Sequence, residues 1–209
     1  MPDYAALKKK VDELEARDWD IPGLEARIRK LAKDGIPQKK LVPAELLANK
    51  KKILDHVELL AEEYNFILKD CAQGTALALM EEFGLGNMEI IKALSPFPGI
   101  GGTGDMCGGI TGSLITFGLF FSSNDPLDIA AKEKAIMISQ RFMAQFEGKI
   151  GHMYCADIIE TVILGHRLNP GESEAAMVAF TKEKGFEKCG LPPGTGVRLA
   201  AEVIIDSMK

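Results

Sequence analysis

Four cysteines are the residues of this chain best suited to chemistry: Cys71, Cys107, Cys155 and Cys189. They lie 36, 48 and 34 residues apart, wider than the short Cys-x-x-Cys steps of ribbon zinc sites or thioredoxin-type centres. Spacing alone therefore fits inert packing, since free cysteine is among the most buried residue types. Position says more. Cys71, Cys107 and Cys155 each fall where a helix is predicted to start, and Cys189 falls between a helix and the turn Gly190-Leu191-Pro192-Pro193. Unpaired N–H groups and the helix dipole at such starts favour a thiolate over a thiol.

Other constellations are missing. There is no Walker A loop, no Gly-x-Ser-x-Gly, no His-Glu-x-x-His and no haem-attachment Cys-x-x-Cys-His. None of His56, His152 and His166 follows a glutamate by three residues, so the helical di-iron signature is also absent. Gly99-Ile100-Gly101-Gly102-Thr103-Gly104 matches Gly-x-Gly-x-x-Gly in letters. A dinucleotide site needs a strand leading in, however, and here a helix leads in through Pro96 and Pro98, so no nucleotide is expected. The glycines instead let backbone amides approach something closely.

The elements that must position these cysteines read as helices throughout. Leu7, Val11 and Leu14, then Leu24, Ile28 and Leu31, are spaced as helical stripes on either side of a linker holding Trp19. They predict an N-terminal helical hairpin. A third helix is predicted from Pro43, with Ile53, Val57, Leu60, Tyr64 and Ile67 as a long apolar face. Further helices are expected around Ala72–Phe83, around Ile110–Phe121, from Asp125-Pro126 onward, near 154–165, near 173–184, and from Thr195. Ser95 to Gly104 is predicted to be a loop, with Asp105 capping the helix after it. With no alternating strand, the expected fold is all-α: a compact multi-helix bundle (61–209) carrying an N-terminal helical extension (1–60). The extension serves docking or oligomerisation, or packs on its own domain.

The core Cys107-Gly108-Gly109-Ile110-Thr111-Gly112, with single cysteines at 71, 155 and 189, resembles the C_GCAxxG_C_C family of redox-active proteins. The Cys71-Ala72-Gln73 helix start and the glycine-rich loop add to the likeness, which covers about residues 65–190. Gly109 departs from it, standing where the family motif has alanine; glycine keeps the volume small, so close packing is expected to survive. The same core resembles the iron–sulfur part of split-Soret cytochromes, which implies a cysteine-ligated cluster and a homodimer; without their haem motifs, no haem is implied.

The resemblance implies that Cys71, Cys107, Cys155 and Cys189 ligate an iron–sulfur cluster, 2Fe–2S ahead of 4Fe–4S, in a protein that transfers electrons to a redox partner protein. Backbone amides around Gly102, Gly104, Gly108 and Gly109 are expected to face the sulfurs, with His152 and Tyr154 beside Cys155 as further neighbours. Two alternatives stand beside it: a metal-free thiol–disulfide protein, and a helical interaction module with structural zinc on the same cysteines.

Composition bounds the reading. The 209 residues are 46% hydrophobic and carry a net charge of −5, enough apolar material for a substantial core. Residues 1–70 hold fourteen basic and fourteen acidic side chains, so the acidic excess lies in the rest. An acidic balance is the wrong sign for nucleic acid. The longest apolar run, Ile110 to Phe121, falls short of the ~20 residues of a membrane span. A cytoplasmic protein is expected.

Overall fold

The core is assembled around two helices joined by a tight turn, α4 (Lys50–Leu68) and α5 (Cys71–Phe83). In the computed structural model, which describes residues 1–209, α4 turns Ile53, Val57, Leu60 and Tyr64 inward as its stripe requires. It ends at Lys69, which adopts a left-handed conformation, and Asp70 then caps α5 by accepting from the Gln73 amide at 2.8 Å. α5 is buried on nearly every side, and its small residues Ala72, Gly74, Thr75 and Ala76 let neighbours approach closely.

Past the short α6 (Met88–Ala93) and α7 (Gly99–Gly102), helix α8 (Gly108–Phe121) packs on α5. After α11 (Glu174–Lys182) has passed, α13 (Leu191–Asp206) lies across α4, α5 and α8. The hydroxyls of Thr75, Ser113 and Thr116 are buried yet satisfied, each donating to the carbonyl one turn back. The long α9 (Ile129–Ile150) covers α8 with Phe142, Phe146 and Ile150. Phe117 meets Phe142 edge-on at 5.2 Å between ring centres.

The hairpin of α1 (Tyr4–Ala16) and α2 (Ile21–Asp34) starts both helices with aspartate caps, Asp3 and Asp20, and places Pro22 in the first turn of α2. Its stripes are not left open. Val11, Leu14, Leu31 and Ile36 belong to the same 34-residue apolar cluster as α4, α5, α8 and α13. Trp19 stacks on Phe66 at 4.5 Å, with the Arg17 guanidinium over its other side. The chain is all-α, as its periodicity predicts, with one isolated β-bridge, Met106 to Tyr154. No helix is long and apolar enough to cross a membrane.

Four local expectations change. The single helix predicted from Pro43 is two, α3 (Pro43–Ala48) and α4, parted at Asn49. Asp125 does not begin α9: its carboxylate accepts from Leu127 N at 2.9 Å in a turn, and Asp128 is the cap. Asp105 accepts from the adjacent Met106 amide at 2.7 Å, leaving Cys107 as the cap residue of α8. The last helix opens at Leu191 rather than Thr195, because Pro192 and Pro193 fill a first turn whose N–H groups would lack partners anyway.

Candidate functional site

Every cysteine lies at a helix boundary. Cys71 is the first residue of α5 and Cys107 the cap residue of α8. Cys155 opens the short α10 (Cys155–Ile158), which runs on into a π-helical turn, Ile159–Ile163. Cys189 closes α12 (Gly185–Lys188) and stands one residue before Gly190, the cap of α13.

Backbone pairing brings two of them to one side of the chain. Met106 and Tyr154 form the antiparallel bridge, flanked by Cys107 N donating to Met153 O at 2.9 Å and Cys155 N donating to Asp105 O at 2.8 Å. Side chains alternate across such a pair, so Cys107 and Cys155 share one face and Met106 and Tyr154 take the other. Tyr154 accordingly stands 48% exposed, whereas Cys107 is buried. Tyr154 therefore points to the face opposite Cys107 and Cys155 rather than beside them as expected. His152, just before this pairing, is half-buried.

Cys71 joins through the glycine core of α8. Gly108 faces the start of α5 so closely that a Cβ there would overlap the Cys71 Sγ and lie 2.5 Å from the Ala72 amide. One turn on, a Cβ at Gly112 would lie 2.5 Å from the Ala72 carbonyl. Gly109 faces the other way, onto α13, where its Cβ would meet the Pro192 carbonyl at 2.8 Å. The motif thus wedges α8 between the starts of α5 and α13. Alanine at 109 would push α13 outward, so glycine does more here than keep a small volume.

The four thiols sense one another. Burial raises each of them, pushing Cys155 up to about 11 and Cys107 and Cys189 well above the usual thiol range. After burial, Cys107 is opposed most by charge on Cys71 and Cys155 and less by Cys189, while Cys189 is opposed by Cys155 and Cys71. The amides of Gly108 and Gly109 act oppositely, favouring the thiolates of Cys71 and Cys107 respectively. Contrary to the expectation from their helix-start positions, the balance at all four favours the thiol: burial outweighs the amides at Cys71 and Cys107 and acts alone at Cys155. All four cysteines are free, with no disulfide among them.

The glycine-rich loop reaches the site by other atoms than those expected. Gly99 comes nearest a cysteine: a Cβ built on it would lie 3.4 Å from the Cys155 Cβ. Gly104 contributes its carbonyl, accepting from Ala156 N at 2.9 Å, rather than its amide. Gly102 turns away, its carbonyl accepting from Asn169 Nδ2 at 3.0 Å. Ile100 holds a positive φ of 48° between Gly99 and Gly101, an uncommon conformation for a β-branched residue.

One set of contacts was invisible in the sequence. The segment bearing Cys189 is braced by the N-terminal half of the chain. Lys184 Nζ donates to the Glu15 carbonyl at 3.1 Å, Lys188 pairs with the Glu15 carboxylate at 3.4 Å, and Asn65 Nδ2 donates to Phe186 O at 3.0 Å. Behind them lies Glu62, 1% exposed, paired with Lys10 at 3.0 Å and Arg17 at 2.8 Å. A Cβ built on Gly190 would sit 3.5 Å from both Glu62 and Leu14. A buried glutamate reading as one more polar position on α4 gives no local signal of this role.

No group of three or more His, Cys, Asp or Glu side chains is placed to hold a metal ion. Searches among curated proteins and among solved structures find no match. A family model does match, over residues 69–203, and its description is "Putative redox-active protein (C_GCAxxG_C_C)". The match takes in all four cysteines, the Cys107–Gly112 core and most of α13, well over half of the chain. On that match this all-α chain belongs to the C_GCAxxG_C_C family of redox-active proteins.

Proposed function

We propose that the chain carries one iron–sulfur cluster on Cys71, Cys107, Cys155 and Cys189 and passes electrons to a partner protein. The observation that supports this reading is local geometry: Cys107 and Cys155 share one face of the Met106–Tyr154 bridge, Cys71 packs against the Gly108 start of α8, and Cys189 stands at the boundary before α13. Cysteine thiolates are the usual ligands of iron–sulfur clusters, which is the chemistry this donor set offers. When bound, the cluster supplies a one-electron couple. The chain's own groups do the rest. The amides of Gly108 and Gly109 face the Cys71 and Cys107 sulfurs and favour added negative charge. The helix starts at α5 and α8 act in the same sense. The surrounding apolar cluster limits water. Loading releases the thiol protons. By resemblance, 2Fe–2S is preferred to 4Fe–4S.

A second reading, metal-free thiol–disulfide exchange, draws on Cys107 and Cys155 sharing one face of the bridge. Purification without oxygen, followed by a visible spectrum with iron and sulfide analysis, separates the two. A coloured protein with matched iron and sulfide, bleached by Cys107→Ser, supports the cluster. A colourless, iron-free protein in which two thiols reversibly disappear on oxidation overturns it in favour of the second.

A further inference from the structure

Two apolar side chains face water beside Cys155. Ile100, 41% exposed, follows Gly99, on which a Cβ would lie 3.4 Å from the Cys155 Cβ; Tyr154, 48% exposed, immediately precedes Cys155. The Met106–Tyr154 bridge between them is a wall one backbone thick, with Cys107 and Cys155 on its inner face and Tyr154 on its outer face.

The charges around this wall name its occupant. Residues 93–131 contain no lysine or arginine, and neither do 150–166 or 168–181. These runs include the glycine-rich loop, the bridge, and the segment that presses Gly171 onto Gly102. Each brings a carboxylate. Asp105 is exposed and holds the bridge by its carbonyl, Asp157 stands half-buried two residues past Cys155, and Glu172 is exposed beside Gly171. None of the three has an ion-pair partner. Arg167, the one basic residue between the second and third runs, pairs with Glu160 at 3.4 Å, and Lys92, Lys132, Lys149 and Lys182 stand only at the outer ends.

We infer that this face, Ile100 and Tyr154 flanked by Asp105, Asp157 and Glu172, docks a one-electron carrier whose own centre is ringed by lysine or arginine. The inference rests on the redox reading above and adds the partner's chemistry to it. Opposite charge steers the encounter and orients it, and an acidic carrier is repelled. One electron crosses the wall, from the reduced centre of this chain to the oxidised centre of the carrier, and no bond forms or breaks.

The full chain, purified without oxygen, is titrated calorimetrically with cytochrome c, a basic one-electron carrier, and with an acidic ferredoxin; circular dichroism checks the folding of each variant. Cytochrome c should bind at about 10 mM salt and bind far more weakly at about 150 mM, as the screening length falls from about 30 Å to about 8 Å. The ferredoxin should not bind. Asp105→Asn, Asp157→Asn and Glu172→Gln together should weaken cytochrome c binding roughly tenfold or more. Removing three exposed charges from the N-terminal hairpin instead, with Asp12→Asn, Glu25→Gln and Asp34→Asn, should change it less than about twofold. Ile100→Lys, at a positive φ that lysine already adopts at positions 69 and 184, should weaken binding as well. In the reduced, coloured chain the face variants should slow electron transfer to cytochrome c but not to ferricyanide, a small ion that needs no docking. No binding of cytochrome c, binding of the ferredoxin instead, or equal weakening by the face and hairpin triples would overturn the docking surface while leaving the cluster reading intact. A colourless chain whose binding still depends on the face would overturn the cluster reading and keep the surface.

Discussion

Gly108 packs directly against the Cys71 sulfur, leaving no room for even one carbon atom between α8 and the first residue of α5. Gly108→Ala should therefore force the two helix starts apart, at about 1–3 kcal/mol in denaturant unfolding. Gly112→Ala makes a similar overlap one turn further on without touching a sulfur. It should lose comparable stability but keep any visible chromophore, whereas Gly108→Ala should lose both. Equal spectra from the two variants would mean that Gly108 matters for packing alone.

Alanine at position 109 should hurt this particular chain. A Cβ there meets the Pro192 carbonyl at 2.8 Å, and backbone cannot swing aside as a flexible side chain can. The gain in helix propensity, about 1 kcal/mol, offsets part of the strain. We expect Gly109→Ala to be net destabilising by about 1 kcal/mol, read as a lower unfolding midpoint. A variant more stable than the wild type would show that α13 can shift freely.

Glu62 is the buried carboxyl at the centre of the brace behind Cys189. Removing it leaves Lys10 and Arg17 with only the exposed Glu13 as a shared partner. Glu62→Ala should cost about 3 kcal/mol. In the metal-free chain it should also speed modification of Cys189 by a thiol reagent, followed by mass spectrometry, relative to Cys107. Uniform acceleration at all four cysteines would indicate general loosening instead.

His166 and Glu183 form an exposed pair at 2.8 Å, and this hydrogen bond raises the histidine above its ordinary value. The sign follows. Protonated His166 is favoured in the folded state, so its contribution is full below about pH 6.5 and is lost as pH rises through the raised value. Because the pair is solvated, the effect on stability is small. Its clearest signature is the imidazole titration followed by NMR, whose midpoint should fall in Glu183→Gln. An unchanged midpoint would remove Glu183 as the cause.

Much of this architecture can be read from residue order because its signals are local. Stripes such as Ile53, Val57, Leu60 and Tyr64 mark their own helix, and Asp3, Asp20 and Asp70 mark helix starts. Helix boundaries held by competing local signals were harder. Asp125 and Asp128 are both plausible caps, and only the chain's turn at Leu127 decides between them. The cysteine boundaries are legible for the same local reason. What surrounds them is not, because it depends on pairing across long stretches of chain. The single bridge between Met106 and Tyr154 turns Tyr154 outward, and nothing in the short run around Cys155 encodes that. The link from Glu15 to Lys184 and Lys188 spans most of the molecule.

That last link bears on anyone who would transplant the centre. The matched segment begins at residue 69, yet Glu15, Glu62 and Asn65, which steady the stretch around Cys189, all precede it. Cutting out residues 69–203 as a minimal module would carry all four sulfurs away but leave the stretch around Cys189 without its scaffolding.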